Sequence, residues 1–495
     1  MRKATGAATI ALALAGCTVG PNYHPADPGT LGVPAAYTPP VTQAAPGETA
    51  PVSGDLSTWW VQLGDPMLTD LIARATAGNL DIAQSVARLG EARESLVQAR
   101  GDLFPTLTGS AGASRNFTRG GSSTIVVGGG NGSGGTIVTT GGSSGSTRLS
   151  LGLDASWQAD LFGGIHRSIE AARAEEAAAY FDLEGVRTSV AGEVATNYID
   201  ARLAQARLEI ARSTLATQDE NLQIARWRVQ AGLVSAIDAE QARAQRSQTA
   251  AAIPSLETSY VQAVARLGIL TGQAPGALRA EMEQARPIPH GPDEIAIGIP
   301  AETLRRRPDV RSAERRLAAA TARIGVAKAT LFPALSLSGN LNTNASTLGS
   351  LGSLLTGGLF AGLTHVIFDA GKRQSQVRSA RAATELAFAS YRQTILSGLE
   401  DVENAMQALE AAKARQAELA VALDAANNAA IYSRSQYRSG LIDFLSLLQN
   451  EQGLLSARDQ LAGAQADQAL ALVRLYLALG GGWPSDTTTF DGKPA

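Results

Sequence analysis

The segment 149–161 (LSLGLDASWQADL) alternates strictly between apolar and polar residues. Leucine, alanine and tryptophan occupy its odd positions, whereas serine, glycine, aspartate and glutamine occupy its even positions. Because successive side chains of a strand point to opposite faces, the pattern predicts a β-strand with one apolar face and one polar face. We expect this strand to close a hairpin unit, 106–161, and strands at about 334–343 and 359–368 to form a second unit, 334–368.

Helix-forming, alanine-rich sequence surrounds these strands. Proline is absent from two long stretches, 163–253 and 369–483. Each stretch therefore predicts a very long helix, about 100 Å in length at ~1.5 Å per residue, followed by a shorter return helix. Gly232 and Gly440 separate the two helices of each pair, as glycines at helix C-termini do. The predicted long and return helices are 165–231, 236–271, 373–439 and 443–479.

The chain contains two copies of one plan. Residues 79–105 align without a gap with residues 307–333, and both segments end in Leu-Phe-Pro, where proline stops a helix. The alignment later shifts by 20 residues, and the extra residues include the Gly/Ser-rich run 120–146. Such a run favours an enlarged surface loop. The predicted organisation is a leading segment (17–78), repeat 1 (79–272), a linker (273–306), repeat 2 (307–480) and a tail (481–495).

Four strands are too few to close a membrane barrel. A barrel needs at least about eight strands, because an open edge in lipid leaves backbone groups without hydrogen bonds. Further copies of the chain would have to supply the rest, and three copies would give twelve strands. The alternative is a soluble sandwich strand buried on its apolar face, but the sequence offers no strands for a second sheet.

The N-terminus has the pattern of a secretion signal. Arg2 and Lys3 precede a short apolar run of small residues, and the run ends in Leu-Ala-Gly before Cys17, the single cysteine. The ending resembles the lipobox of bacterial lipoproteins, so we expect residues 1–16 to be removed and Cys17 to be lipidated. An ordinary signal peptide with a chance cysteine is the alternative. The sequence contains no apolar helix of 18 residues, so strands would have to make any membrane crossing.

Composition and motifs argue against catalysis and against nucleic-acid binding. The net charge is −3, with no basic stripe of the kind that nucleic acid requires. The four histidines are isolated, and the sequence contains no H-E-x-x-H, G-x-S-x-G or Walker motif. We therefore expect no cofactor, no metal site and no enzyme activity, and the four methionines argue against a methionine-lined copper conduit.

Five segments together resemble the TolC-like outer-membrane efflux proteins, in particular their lipidated NodT/OprM-type branch. The resemblance implies a mainly α fold with a membrane β-barrel: a homotrimer in which each protomer gives four strands to a twelve-stranded barrel and long antiparallel helices to a periplasmic α-barrel. It also implies a passive exit duct that works with a periplasmic adaptor (membrane fusion) protein and an inner-membrane RND-type transporter. The segments are AGCTVGPNYHP (15–25), WWVQLGDPMLTDLI (59–72), IGIPAETLRRRPDVRSAERRLAAA (297–320), IGVAKATLFPALSLSG (324–339) and IFDAGKR (367–373).

The resemblance also implies a gate at the periplasmic mouth, near the turns at Gly232 and Gly440. Asp238 and Tyr437 match an Asp–Tyr link that holds neighbouring coiled coils shut, although helix capping alone could explain Asp238. A second latch is missing, because Ile442 stands where the family has arginine. Leu445 matches a hydrophobic constriction, and Gln449 with Ser446 replaces a ring of aspartates, so cation binding at the mouth is not expected.

Two other functions remain open from the sequence. Within transport, the chain could be the exit duct of a protein or peptide secretion system, although the lipobox favours small-molecule efflux. From a different class, it could be a periplasmic coiled-coil adaptor, which shares the long helical hairpin. Adaptors normally carry a lipoyl-like β-domain and lack paired membrane strands.

Overall fold

The computed structural model describes residues 18–34, 36–37, 56–118, 123–125, 138–140, 144–292 and 300–484. Contacts divide the chain into two compact units. A sheet unit comprises the described parts of 18–23, 94–173 and 319–384, and a helical unit comprises the remaining described residues. The α-helices are α1 (Pro66–Gly78), α2 (Leu80–Gly101), α3 (Gly164–Gln230), α4 (Ala236–Leu270), α5 (Arg279–Met282), α6 (Pro300–Arg306), α7 (Pro308–Ala329), α8 (Lys372–Arg438) and α9 (Phe444–Ala478).

Helix lengths repeat between the two halves of the chain. α2 and α7 have 22 residues each, α3 and α8 have 67 each, and α4 and α9 have 35 each. Side-chain caps start both return helices: Ser235 accepts from the Ile237 N–H, and Asp443 accepts from the Ser446 N–H at 2.8 Å. None of the described helices combines the length and the apolar character needed to cross a membrane.

The strands are β1 (Thr106–Thr118), β2 (Ser123–Ile125), β3 (Val138–Thr140), β4 (Ser144–Ala159), β5 (Ala334–Ala345) and β6 (Leu355–Thr364). Four of them form the main antiparallel sheet in the order β1-β4-β5-β6. The central strands, β4 of repeat 1 and β5 of repeat 2, pair with each other. The outer strands, β1 and β6, form the two edges of the sheet. The sequence predicts a surface loop for the Gly/Ser-rich run, and within this run two short strands, β2 and β3, pair with each other.

The last strand differs from the sequence prediction, which placed it at about 359–368. It begins four residues earlier and ends at Thr364, so Ile367 and Phe368 lie beyond its end. Gly357 and Gly358, which suggest a loop in the sequence, lie inside the strand. A Cβ atom on Gly357 would lie 3.0 Å from the Leu341 side chain, so the close packing of β5 against β6 explains glycine at this position.

The core of the helical unit joins segments that are distant in sequence. Trp59 is fully buried and stacks on Tyr476 of α9, with ring centroids 5.5 Å apart. The Tyr198 hydroxyl on α3 donates to Asp65, which caps the first turn of α1. Burial raises the pKa of Tyr198 to about 12, so this hydroxyl stays protonated at neutral pH. The leading segment is thereby fixed to the long helix α3.

Candidate functional site: a two-faced sheet and the helical turns

The strand register gives the main sheet two faces of opposite character. Asp154 lies opposite Thr108 of β1 and Asn340 of β5, and even-numbered residues share this face throughout the sheet. The face is polar, and its charged members with described side chains are Arg148 and Asp154. Its polar residues include Thr106, Thr108, Ser110, Ser114, Ser150, Ser156, Gln158, Ser336, Ser338, Asn340, Asn342 and Asn344.

The opposite face carries mainly leucine and alanine, and Arg115 and Phe117 lie on it near the end of β1. Most of its leucine side chains are exposed in the single chain, and Leu359 is 92% exposed, whereas Leu149 and Leu335 are half-buried. Trp157 also belongs to this face, and its indole N–H donates to the Leu103 carbonyl oxygen at 2.9 Å. An exposed apolar face of this size marks a surface that contacts lipid or protein rather than water. Its leucines are Leu107, Leu149, Leu151, Leu153, Leu335, Leu337, Leu341, Leu355, Leu359 and Leu363.

The two helical turns share one hydrogen-bond motif. Gly232 and Gly440 have φ of +68° and +75°, the left-handed conformation that favours glycine. The Leu233 N–H donates to the Arg228 carbonyl oxygen, and the Leu441 N–H donates to the Gln436 carbonyl oxygen, each at 2.9 Å. With the bonds from the glycine N–H groups, these contacts make two Schellman motifs that end α3 and α8.

Tyr437 lies in a small apolar core beside the second turn. Its side chain is 7% exposed and packs with Leu222, Phe444 and Leu447. The Arg228 guanidinium carbon lies 4.5 Å from the centre of the Tyr437 ring, on the opposite repeat. Among the described residues, the buried Tyr437 hydroxyl has no hydrogen-bond partner. A buried hydroxyl in that state is unusual, because most such groups are bonded.

The other predicted gate residues surround this core without a shared bond. Asp238 is half-buried in the first turn of α4, and within the chain the structure shows no hydrogen bond between it and Tyr437. Leu445 and Gln449 are both exposed and lie one turn apart on the same face of α9. At the N-cap of α9, bonds from Ser446 lower the pKa of the Asp443 carboxyl, which keeps this group ionised.

Sequence reasoning missed a set of polar contacts close to the turns, which we call the polar belt. At its centre, Glu451 is 7% exposed, accepts from Asn221 at 2.5 Å and pairs with Arg434 at 3.0 Å. The signal was present, because Glu451 interrupts an apolar stripe at 444, 447 and 454 on α9. The pairs of the belt are Asn221–Glu451, Arg434–Glu451, Asp219–Arg246 and Gln245–Gln452.

A second missed feature holds the start of the described chain. The side chain of Arg167, which is 5% exposed, donates to the carbonyl oxygens of Val19 and Gly20 and to Asn22 Oδ1. A Cβ atom on Gly20 would lie 2.5 Å from the Gly325 Cα, so only glycine allows this approach. We call this arrangement the Arg167 cradle. Cys17, the predicted lipidation site, lies outside the described residues.

The described residues contain no cluster of three or more histidine, cysteine, aspartate or glutamate side chains that could hold a metal ion. The geometry instead offers a two-faced sheet and long paired helices that end in matching turns. A sheet with one apolar and one polar face suits the wall of a membrane channel, and paired helices with matching turns suit its opening. Together these features are those of a channel subunit.

Comparisons with known proteins agree with this class. The profile of one family, described as Outer membrane efflux protein, matches residues 71–273 and 299–481. Nodulation protein T of Rhizobium leguminosarum bv. trifolii is 30% identical over 479 residues, which cover 96% of each protein. The pyoverdine export outer membrane protein OpmQ of Pseudomonas putida is 29% identical, covering 93% of this chain and 95% of that protein. The solved structure of the outer-membrane channel OprN has a TM-score of 0.81 at 35% identity and covers 94% of this chain and 100% of that one.

The chain therefore belongs to the outer membrane efflux protein family. It is an outer-membrane exit duct of a tripartite efflux system, a passive channel rather than an enzyme, with a large periplasmic part. Such channels are trimers that work with an adaptor and an inner-membrane transporter. The predicted family, fold class and function are thus confirmed, and the alternative of a periplasmic adaptor is wrong.

Proposed function

We propose that three copies of this chain form a duct through which small molecules leave the cell, with the energy supplied by an RND-type transporter. The two-faced sheet carries this proposal. Its apolar face would meet outer-membrane lipid and its polar face would line water, as in other membrane barrels. The free edges of β1 and β6 need partners in lipid, and the edges of neighbouring copies would supply them.

Exposed apolar side chains on the helices support contact between copies. Leu80 and Val86 on α2, and Leu386 and Val421 on α8, are exposed in the single chain. Side chains of this type are stabilised when a neighbouring copy removes them from water. Leu233 and Leu441, which are the residues after the two turn glycines, are also largely exposed. We expect these two leucines to form the surface that meets the adaptor.

The N-terminus is proposed to be anchored through a lipid on Cys17. The Arg167 cradle supports this proposal, because it fixes the residues directly after Cys17 to the sheet unit. Each buried methylene contributes about 0.8 kcal/mol, so several acyl chains would hold a subunit at the membrane before it trimerises. The intact mass of the mature N-terminus tests the proposal, and an unmodified Cys17 would contradict it. With another signal peptide, Cys17→Ser should slow assembly more than it lowers channel activity.

The mouth is proposed to rest closed, with a link between Asp238 of one copy and Tyr437 of the next. The unpartnered Tyr437 hydroxyl supports this assignment, since it is a donor without an acceptor among the described residues of its own chain. Because the hydroxyl is buried in the single chain, the link requires the side chains around Tyr437 to move when the copies assemble. Asp238 supplies a carboxylate that makes no hydrogen bond or ion pair with the described residues of its own chain. Leu445, and Gln449 one turn further along, would line the same opening.

Transport is tested in a host that lacks its own channel and carries an adaptor and an RND-type transporter of a tripartite pump. Expression of the parent chain should lower the accumulation of a fluorescent dye that the transporter accepts. Leu153→Arg, which places a charge on the apolar face of the sheet, should fail to lower it. Unchanged dye accumulation together with the appearance of a secreted protein in the medium would instead favour a secretion duct.

A further inference from the structure

One aromatic side chain lies on the polar face of the sheet. Phe360 of β6 pairs with Ser338 of β5, so it shares the even-numbered face with Asp154 and Asn340. Among the described side chains of this face, the other residues are polar or glycine, except for Ala334 at the end of β5. The Phe360 ring is 61% exposed in the single chain.

The surroundings of Phe360 leave its ring uncovered. Gly358 and Gly362 lie on either side of it along the same face of β6. A Cβ atom on Gly358 would lie 2.8 Å from the Phe360 Cζ, so the ring lies over this glycine. The residue across the strand pair is Ser338, which is too short to cover an aromatic ring.

A neighbouring copy would not cover the ring either. Where the β6 edge of one copy meets the β1 edge of the next, the polar face of β1 presents only short residues, whatever the register. These residues are Thr106, Thr108, Ser110, Gly112, Ser114 and Asn116. Phe360 would therefore remain accessible in the trimer, beside the path of the cargo.

We propose that Phe360 is a cargo-contact site, at which three rings per trimer bind molecules that carry an aromatic or flat apolar face. The site rests on the proposed duct, because it requires the polar face to line the lumen. An exposed ring offers offset stacking to aromatic cargo and a cation–π contact to aromatic cations. The face carries both Arg148 and Asp154, so selection by the sign of the cargo charge is not expected there.

The test uses a thiol reporter in the full-length, lipid-inserted trimer. Ser338→Cys places a thiol opposite Phe360, and the parent chain, with Cys17 as its single cysteine, gives the background labelling. A charged, membrane-impermeant methanethiosulfonate reports access to this thiol. Benzyltrimethylammonium is the aromatic probe, and tetramethylammonium is its control, since it has the same charge without the ring.

The aromatic probe should slow labelling by about two- to tenfold, and tetramethylammonium at the same concentration should not. Phe360→Tyr, which keeps the ring, should retain the protection, whereas Phe360→Ser should abolish it. Phe360→Leu gives the same comparison if the serine variant fails to assemble. Protection that survives loss of the ring would overturn the proposal.

A purely structural role for the ring predicts a different result. Aromatic residues can stabilise a strand by covering a glycine. In that case, Phe360→Ser would lower the thermal stability of the trimer, while the aromatic probe would protect the thiol as well as before, which would also overturn the proposal. A trimer in which lipid-soluble but not water-soluble reagents reach position 338 would contradict the duct itself.

Discussion

The guanidinium of Arg228 lies over the ring of Tyr437, 4.5 Å from its centre, and so joins the long helix of one repeat to that of the other. The contact fixes the ring while its hydroxyl makes no bond within the chain. Within one protomer, packing and the cation–π contact therefore hold Tyr437 in place. The hydroxyl is buried within the single chain, so a residue of a neighbouring copy can bond it only when the side chains around the ring move.

Tyr437→Phe should raise the single-channel conductance in planar bilayers without weakening the protomer. The ring and its contact with Arg228 stay, and the only loss is a hydroxyl that makes no bond within the chain. A hydrogen bond to a charged group contributes about 1.5–3 kcal/mol, so three such links per trimer could shift an open–closed equilibrium strongly. Asp238→Ala should act in the same way.

The double variant is the control for a shared link. If Asp238 and Tyr437 form one hydrogen bond, removing both residues should add little to the effect of removing either. If both single variants conduct like the parent chain, Asp238 only stabilises the start of α4. The gate would then lie elsewhere, for example at Leu445.

Glu451→Gln should destabilise the helical unit and raise conductance. The buried carboxylate bonds Asn221 of α3 and Arg434 of α8, so it joins three helices close to the turns. Loss of its charge weakens two charge-assisted hydrogen bonds, each worth about 1.5–3 kcal/mol. Samples are heated to increasing temperatures before electrophoresis in detergent. The temperature at which the trimer band disappears measures the change in stability.

Glu240→Gln is the matched control for this substitution. Glu240 pairs with Arg243 on one exposed helix face, and both side chains are more than 60% exposed. Such a surface pair contributes about 0–1 kcal/mol. Equal effects of the two substitutions would mean that the polar belt has no special part in holding the helices together.

Gly232→Ala and Gly440→Ala should each weaken a turn by about 1–2 kcal/mol per protomer, because alanine at positive φ is strained. The loss is purely conformational, since a Cβ atom at either glycine would meet no atom within 4 Å. Gly453→Ala is the control. It lies inside α9 with equally open surroundings, so alanine there should stabilise the helix by roughly 0.5–1 kcal/mol.

Thermal unfolding of the three glycine variants tests whether the turns act through backbone conformation. We expect the two turn variants to melt below the parent trimer and Gly453→Ala to melt at or above it. Lower stability of all three variants would show that any side chain at these places disturbs the helix pairing. The Schellman geometry would then be of secondary importance.

The strand faces could be predicted from the sequence, because a period of two leaves no choice once one apolar residue is assigned to a face. The alternation at 149–161 predicted the faces of β4, and the register extends them to the whole sheet. The ends of β6 could not be predicted. Gly357 and Gly358 resemble turn residues locally, and only pairing with β5 reveals that they lie within the strand.

The contacts around Tyr437 were also beyond sequence reasoning. Arg228 and Tyr437 lie on two helices of 67 residues each, and their meeting depends on how the helices wind around one another. A helix with 3.6 residues per turn drifts by about 20° per heptad relative to one with 3.5, so the phase at the end of such a long helix cannot be read from its start. Glu451 was more accessible to prediction, because a single charge within an apolar stripe is visible in the sequence.

An arginine introduced at two neighbouring positions, one on each face of the sheet, should have opposite effects on assembly. Leu153→Arg should block assembly, because an arginine facing lipid at mid-depth costs about 2–4 kcal/mol in every copy. Asp154→Arg should assemble and shift ion selectivity toward anions, since this position lies on the polar face. Trimer formation and reversal potentials measure the two outcomes. Equal tolerance of both substitutions would mean that this sheet is not a membrane wall.

Gly20→Ala should slow the assembly of the trimer, because it disrupts the Arg167 cradle. Its Cβ atom would lie 2.5 Å from the Gly325 backbone, and φ of +110° is unfavourable for alanine. The segment 18–22 would have to leave its place, together with its bonds to Arg167. Pulse-chase labelling, with the trimer detected as a band in samples that are not heated before electrophoresis, gives the assembly rate. Protease cleavage near residue 20 shows whether the segment is released.

Gly64→Ala is the control for backbone strain in this experiment. Gly64 also has positive φ, at +68°, but a Cβ atom there would meet nothing within 4 Å. It should therefore cost about 1–2 kcal/mol from strain alone and leave segment 18–22 protected from protease. Arg167→Ala, which removes the donors but creates no clash, should release the segment as Gly20→Ala does. A segment that stays protected in both cradle variants would show that the chain start is held by some other contact.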